Sequence, residues 1–209
     1  YKVSMVPFHY WTPDVYEGAA TPIAAFFSVA PKAAGLSILI RFFYTVFTND
    51  SSFDSSSELL DVNWTLIIAV LSALTMTIGN LLALYQENVK RMLAYSSISH
   101  IGFMLIGFCI LSQEALTSMM FYIFVYLFMN LGAFSVAVFV KNKTNGDNVE
   151  DWNGIAQKTP LISAFMVIAL VSLAGLPPTS GFVAKFYVLA ELFRAESYRW
   201  LAVVAIINS

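Results

Sequence analysis

The stretch Leu173-Ala-Gly-Leu-Pro-Pro-Thr-Ser-Gly181 sits in the middle of an apolar run from Pro160 to Phe193. Without it the run would read as one overlong hydrophobic helix. Two adjacent prolines remove two backbone donors, and the glycines permit non-helical dihedrals, so the helix must break there. A break at membrane depth is tolerated only where protein or a water-filled cavity satisfies the freed backbone groups. The stretch therefore predicts a discontinuous helix, a device common where ions are handled. With the apolar segments around it, this makes the chain an all-α, polytopic transmembrane helix bundle.

Composition leads to the same class. Of 209 residues, 58% are hydrophobic and 11% charged, and the mean hydropathy is +0.72. A soluble domain carries about 25% charged residues, so this chain has too few charges to cover a water-facing surface. Its main solvent is the lipid bilayer. A span needs about 20 mostly apolar residues, and five stretches qualify. They run from about Thr21 to Phe47, Asn63 to Tyr85, Met92 to Leu111, Ala115 to Val140, and Pro160 to Phe193 with its internal break. Residues 1–209 read as a single transmembrane domain of about five full spans, expected to be an internal fragment lacking helices on both sides.

The loops predict an orientation. Asn49 to Asp61 carries Asp50, Asp54, Glu58 and Asp61 with no lysine or arginine. The loop around Asn88 carries Lys90 and Arg91, and the loop from Lys141 to Thr159 carries Lys141, Lys143 and Lys158. By the positive-inside rule the two basic loops face the cytoplasm or its equivalent, alternating with the acidic loop and the short Ser112-Gln113-Glu114 turn. Lys90 and Arg91 read as interfacial anchors.

Charges within the spans are the candidate functional groups. Lys32 lies about 16 Å into the first span at 1.5 Å per residue, near mid-depth. A lysine there costs about 2.5–3.5 kcal/mol on insertion scales, which marks it for function or for pairing inside the bundle. Arg41, nearer the edge, reads as a snorkelling residue. Lys185 follows the helix break and is the only charge between Pro160 and Ala190, which points to a hydrated polar lining. Glu191 reads as an interface residue. Lys2 stands too near the start for periodicity to place it. Val3 to Val6 reads as the tail of a span that Pro7 ends, and Phe8-His9-Tyr10-Trp11 reads as an aromatic belt.

The third span carries a polar stripe of Tyr95, Ser96, Ser99 and His100 with Ser97, and Ser96 and His100 share a face at i, i+4. Histidine titrates near neutral pH. His100 is a candidate proton relay, and a hydrogen bond between helices explains it equally well. Asn80 and Asn130 read as interhelical hydrogen-bonding groups. The single Cys109 excludes an internal disulfide framework and reads as inert packing. There is no phosphate loop, metal cluster, nucleophilic triad or dinucleotide fingerprint, so no cofactor is expected on this chain. A net charge of −2 without a basic cluster gives no sign of nucleic-acid binding.

Several ordered motifs resemble the antiporter-like membrane subunits of respiratory complex I. They are Val6-Pro-Phe-His-Tyr-Trp-Thr-Pro-Asp-Val-Tyr-Glu-Gly18, Ser28-Val-Ala-Pro-Lys32 and Gly79-Asn-Leu-Leu-Ala-Leu-Tyr-Gln86. Val89-Lys-Arg-Met-Leu-Ala-Tyr-Ser-Ser-Ile-Ser-His-Ile-Gly102, Ser172-Leu-Ala-Gly-Leu-Pro-Pro178 and Gly181-Phe-Val-Ala-Lys-Phe-Tyr187 complete the set. The resemblance runs from Tyr1 to about Glu191. The Asp-Val-Tyr-Glu-Gly segment and the lysine of the broken helix are similar to the N-type branch, subunit 2 in mitochondria and B in chloroplasts.

The resemblance implies a fold of inverted repeats with discontinuous helices. It also implies a subunit that helps to translocate protons while other subunits oxidise NADH and reduce quinone. Expected partners are the neighbouring antiporter-like and small membrane subunits. The expected location is the bacterial inner membrane, with the mitochondrial inner membrane and the thylakoid also compatible. Lys2 then looks like the lysine of a broken seventh helix, paired with a glutamate upstream of this sequence. Lys32 looks like the central lysine and Lys185 like the lysine of a broken twelfth helix. The implied proton path is Lys2, Lys32 and Lys185, with His100 as a candidate member. Two alternatives stay open: a subunit of a Mrp-type cation/proton antiporter, and a membrane scaffold that moves no ions.

Overall fold

The computed structural model describes residues 1–48, 63–110, 112–144 and 146–209. The acidic stretch from Asn49 to Asp61 lies outside the described residues. The helices are α1 (Trp11–Gly18), α2 (Thr21–Thr48), α3 (Trp64–Leu84), α4 (Val89–Leu105), α5 (Gly107–Ile110) and α6 (Gln113–Thr144). Then come a 3₁₀ turn (Val149–Trp152), α7 (Ile155–Lys158), α8 (Pro160–Ala174), α9 (Ser180–Arg194), the 3₁₀ turn Glu196–Tyr198 and α10 (Arg199–Ile207). Among the described residues, four helical segments are long and apolar enough to cross a membrane: Thr21–Phe43, Trp64–Leu84, Val89–Ile110 and Gln113–Thr144. The fifth apolar run splits into α8 and α9 at the double proline, where the sequence requires a break.

The third of these segments is the axis of the bundle. Its window is 83% buried, against 28–50% for the other three. A hydrophobic helix lined by lipid has no need of Ser97, Ser99 and His100, all of which are buried here. Protein surrounds this segment, and exposed apolar side chains fall on its neighbours, for example Phe26, Ile67, Phe128 and Phe165.

Small residues let α3 and α4 approach closely. A Cβ on Gly79 would stand 2.7 Å from the Ser99 backbone nitrogen, and one on Gly102 would stand 2.7 Å from the Met76 nitrogen. The two glycines thus face each other's helices reciprocally, and the Ser72 hydroxyl donates to the Gly102 carbonyl at 2.7 Å. Without a hydrophobic driving force between helices in lipid, this close packing and its hydrogen bond supply the association.

Three departures from the sequence reading have a local cause. The third span begins at Val89 rather than Met92, because the Asn88 side chain accepts from the Lys90 and Arg91 amides and caps the first turn. It also breaks at Ile106, ahead of Gly107, which lies against Met119 of α6. Residues 1–10 form turns rather than the tail of a helix. Their polar groups bond to other elements: the Val6 amide donates to Thr75 Oγ1 of α3 at 3.1 Å, and the Thr12 hydroxyl donates to Ser4 Oγ at 2.7 Å.

The two basic loops meet at one end of the bundle, joined by the corner between α1 and α2. The Val89 amide donates to the Asp147 carbonyl and the Val149 amide to the Glu87 carbonyl, both at 2.9 Å. Lys90 is 3% exposed and donates to the carbonyls of Glu17 (2.6 Å) and Ala19 (3.3 Å), while its Nζ also lies 3.1 Å from the Asp147 carboxylate. Lys141 pairs with the same carboxylate at 2.6 Å. Arg91 pairs with Asp14 and Glu17. Lys90 is therefore a buried clamp on the carbonyl end of α1, where a cation is favoured by the helix dipole, rather than a simple interfacial anchor. Burial pushes the Asp147 carboxyl up, but hydrogen bonds and charge from Lys141 and Lys90 outweigh it and hold the group below the ordinary carboxylate range.

Candidate functional site: a buried polar line between two disturbed helices

Lys32 follows Pro31 inside α2. Proline lacks an amide proton and crowds the carbonyl four residues back, so the turn before Lys32 cannot be a regular helix turn. Polar side chains of α6 meet the helix there. The Asn130 amide donates to Ser28 Oγ at 2.6 Å, and the Tyr126 hydroxyl donates to the Ser28 carbonyl at 3.3 Å. Lys32 itself is 2% exposed, and its ammonium donates to the Ser97 hydroxyl of α4 at 2.5 Å. The Ser97 hydroxyl in turn donates to the Ala94 carbonyl at 2.6 Å. The ammonium also stands 5.7 Å from the centre of the Tyr16 ring of α1. The Tyr16 hydroxyl is buried and interacts with Ser97, but among the described residues it makes no hydrogen bond of good geometry.

Lys185 sits on α9, one turn past the break. Gly175 ends α8 with φ +78°, and the Gly175 and Leu176 amides both return to the Val171 carbonyl. This closes the helix as a left-handed glycine terminus. The Lys185 ammonium then donates to the Ala174 carbonyl at 2.9 Å. A Cβ on Gly175 would stand 2.8 Å from Lys185 Cδ, so glycine supplies both the backbone angle and the room for the lysine. The ammonium also lies 4.8 Å over the Phe103 ring of α4. A cation over an aromatic face near a helix carboxyl end is doubly favoured in a desolvated site.

His100 lies between these lysines and interacts electrostatically with both. Its Nδ1 is 2.8 Å from the Tyr122 hydroxyl of α6, and its ring stands 5.3 Å from that of Tyr126. A cavity of about 480 Å³ opens beside it, lined by Ser96, Ser99, His100, Lys185 and Asn80 among others. Asn80 also donates from α3 to the Asn208 carbonyl. The structure thus brings Lys32, His100 and Lys185 into one buried region threaded by serine and tyrosine hydroxyls. Such side chains can hold, orient and pass a proton.

Lys2 is not part of this line. It is exposed, its Cβ lies beside Gly35 of α2, and among the described residues it has no ion-pair partner. Glu191 pairs with Arg194 near the end of α9. His9 is the inward member of the aromatic stretch. It is 2% exposed and lies beside the Pro7 backbone, whereas Phe8 and Tyr10 are exposed. No group of His, Cys, Asp and Glu side chains suited to a metal ion occurs among the described residues.

Tyr16, Tyr122 and Tyr126 join the site without having been candidates from the sequence. Tyr122 and Tyr126 were open to discovery, since i, i+4 puts two hydroxyls on one face of an otherwise apolar span. Nothing local distinguishes Tyr16, because its role depends on α1 packing against α4.

The chain is similar to known proteins in sequence and in fold. The chain is 49% identical to NADH-quinone oxidoreductase subunit N 2 of Sorangium cellulosum, over 100% of its own length and 41% of that relative's. Among solved structures, a chain of respiratory complex I from Thermus thermophilus superposes with a TM-score of 0.75 at 33% identity, covering 99% of this chain and 43% of the other. A chain of the Mrp complex from Dietzia superposes with a TM-score of 0.84 at 27% identity, covering 99% and 36%. This chain therefore spans about two fifths of the relatives it matches. The family described as NADH:quinone oxidoreductase/Mrp antiporter, transmembrane, matches residues 1–209, and the chain belongs to it as a multi-pass membrane protein.

Proposed function

We propose that this chain is the lysine-bearing part of an N-type membrane subunit of NADH:quinone oxidoreductase, and that it passes protons through Lys32, His100 and Lys185. The observation that carries the reading is the single buried region that holds Lys32, His100 and Lys185 between the Pro31 turn of α2 and the broken α8–α9 pair. Burial penalises the charged form of each lysine, so the charge state of one neighbour matters to the next. Two unit charges about 8 Å apart interact by roughly 2 kcal/mol at an effective dielectric of about 20. That is enough to move a proton between tuned neighbours. The Tyr16 hydroxyl near Lys32 and Ser97 suits a bridging water. Lys2 would act upstream as an input switch with a glutamate of the remaining protein. NADH and quinone would be used by other subunits of the complex, and neighbouring membrane subunits would be this chain's partners.

Sequence identity favours complex I over a Mrp-type antiporter, since the relative named for subunit N reaches 49% and the Mrp chain 27%. A scaffold without transport would have no need of two lysines buried at membrane depth.

The test is proton pumping in membranes carrying the assembled complex with Lys32→Ala. Pumping should fall severely while assembly persists. Wild-type pumping in an assembled Lys32→Ala complex would remove Lys32 from the path. Sodium-dependent transport without NADH oxidation would favour the antiporter reading.

A further inference from the structure

A groove runs along the outside of the bundle between α6 and α8, with a volume of about 520 Å³ and walls that include Phe128, Gly132, Phe139, Phe165 and Ile168. Phe139 also belongs to a second cavity of about 240 Å³ at the basic-loop end, where Lys143, Thr144, Asn153, Lys158 and Thr159 gather. The two form one feature: a cationic, hydroxyl-rich mouth continuing into an apolar trough.

The mouth has unspent charge. Among the described residues neither Lys143 nor Lys158 forms an ion pair, and both are exposed. No acid among the described residues lines this cavity, although Glu150 and Asp151 belong to the same loop, and Asp147 is held by Lys90 and Lys141. The Lys143 ammonium rests 4.7 Å over the Phe139 ring, directly at the junction of mouth and trough.

The dimensions select the occupant. From Phe139 to Phe128 is eleven residues of α6, about 16 Å at 1.5 Å per residue, or about half of a 30 Å hydrocarbon core. The trough thus spans one leaflet from the basic end inward. An extended acyl chain is long and thin enough to lie along a trough of this length, and its headgroup then reaches the lysines at the mouth. Basic pockets between transmembrane helices on the positive side suit anionic headgroups.

We propose that this feature is an anionic-phospholipid site, with the phosphate held between Lys143 and Lys158 and one acyl chain lying in the α6–α8 trough.

The site can be tested on the full-length protein in its purified membrane complex, after delipidation, by native mass spectrometry with added lipid. Phosphatidylglycerol should be retained roughly 30-fold better than phosphatidylcholine of the same chains, from about 1 kcal/mol per lysine. The double substitution Lys143→Gln/Lys158→Gln should abolish that preference. Ser135→Trp, which plugs the trough from an exposed position of α6, should weaken both lipids. Equal retention of the two lipids in the wild type, or a preference that survives the double substitution, overturns the proposal. So does full displacement of the lipid by inorganic phosphate, which would mark a free-anion site. Failure of any lipid to bind the assembled complex would assign the trough to a neighbouring subunit instead.

Discussion

The ammonium of Lys185 on α9 donates to the carbonyl oxygen of Ala174, the last residue of α8, across the helix break. One side chain thereby satisfies a backbone acceptor that the double proline has left without a helical donor, and it does so at membrane depth. The charge proposed to move a proton is also the cap that holds the break together.

This dual role separates two substitutions. Lys185→Met keeps the stem but removes the donor, and should lower stability by about 1–3 kcal/mol, the usual cost of an orphaned buried acceptor. Lys185→Arg restores a donor that cannot release its proton. It should recover much of the thermal stability of the detergent-solubilised complex while leaving proton pumping as low as in the methionine variant. Recovery of pumping with arginine would show that only the cap matters.

His100 and Tyr122 share one hydrogen bond, so they should act as a unit. His100→Gln and Tyr122→Phe should each slow pumping several-fold, and the double variant should be no slower than the worse single one. If pumping holds in all three while the melting temperature falls, His100 is an interhelical hydrogen-bonding group and no relay.

The Asp147 cluster predicts a pH dependence. Its carboxyl is held below the ordinary value by Lys141 and Lys90, so its stabilising contribution is fully present above about pH 4. That contribution is lost as pH falls through the lower folded value. Asp147→Asn leaves Lys90 buried beside a neutral group and should cost about 3 kcal/mol at pH 7. The gap in melting temperature between wild type and Asp147→Asn should close as the pH drops below 4. A gap unchanged at low pH would assign the effect to packing.

Close approach of α3 and α4 depends on Gly79. Gly79→Ala would put a Cβ against the Ser99 backbone nitrogen, which cannot rotate away, and should cost about 1–3 kcal/mol. Gly18→Ala is the matched control, since nothing lies within 4 Å of a Cβ there. Melting temperatures of the two variants check this, and equal values would mean that the helices separate without cost.

Lys32 and Lys185 could be singled out from sequence because lipid makes an isolated charge conspicuous and because proline breaks a helix wherever it falls. Lys90 was misjudged by the same logic. A lysine at the start of a span looks like an anchor until the fold brings the α1 carbonyls and Asp147, 57 residues away in sequence, around its ammonium. The Ile106 break was invisible too, since Ile-Gly within an apolar run carries no strong local signal.

The amino-acid sequence alone determined that this chain lies in a membrane, where its spans fall, and that the run from Pro160 to Phe193 must divide at Pro177-Pro178. These follow from the solvent each residue tolerates and from covalent limits on the backbone, both local properties. Only the tertiary structure decided that Lys32 meets Ser97, that Lys185 caps α8, and that His100 and two tyrosines lie between them. Those pairings depend on how each helix is rotated and how closely its neighbours approach, and contacts scattered along the whole chain set both.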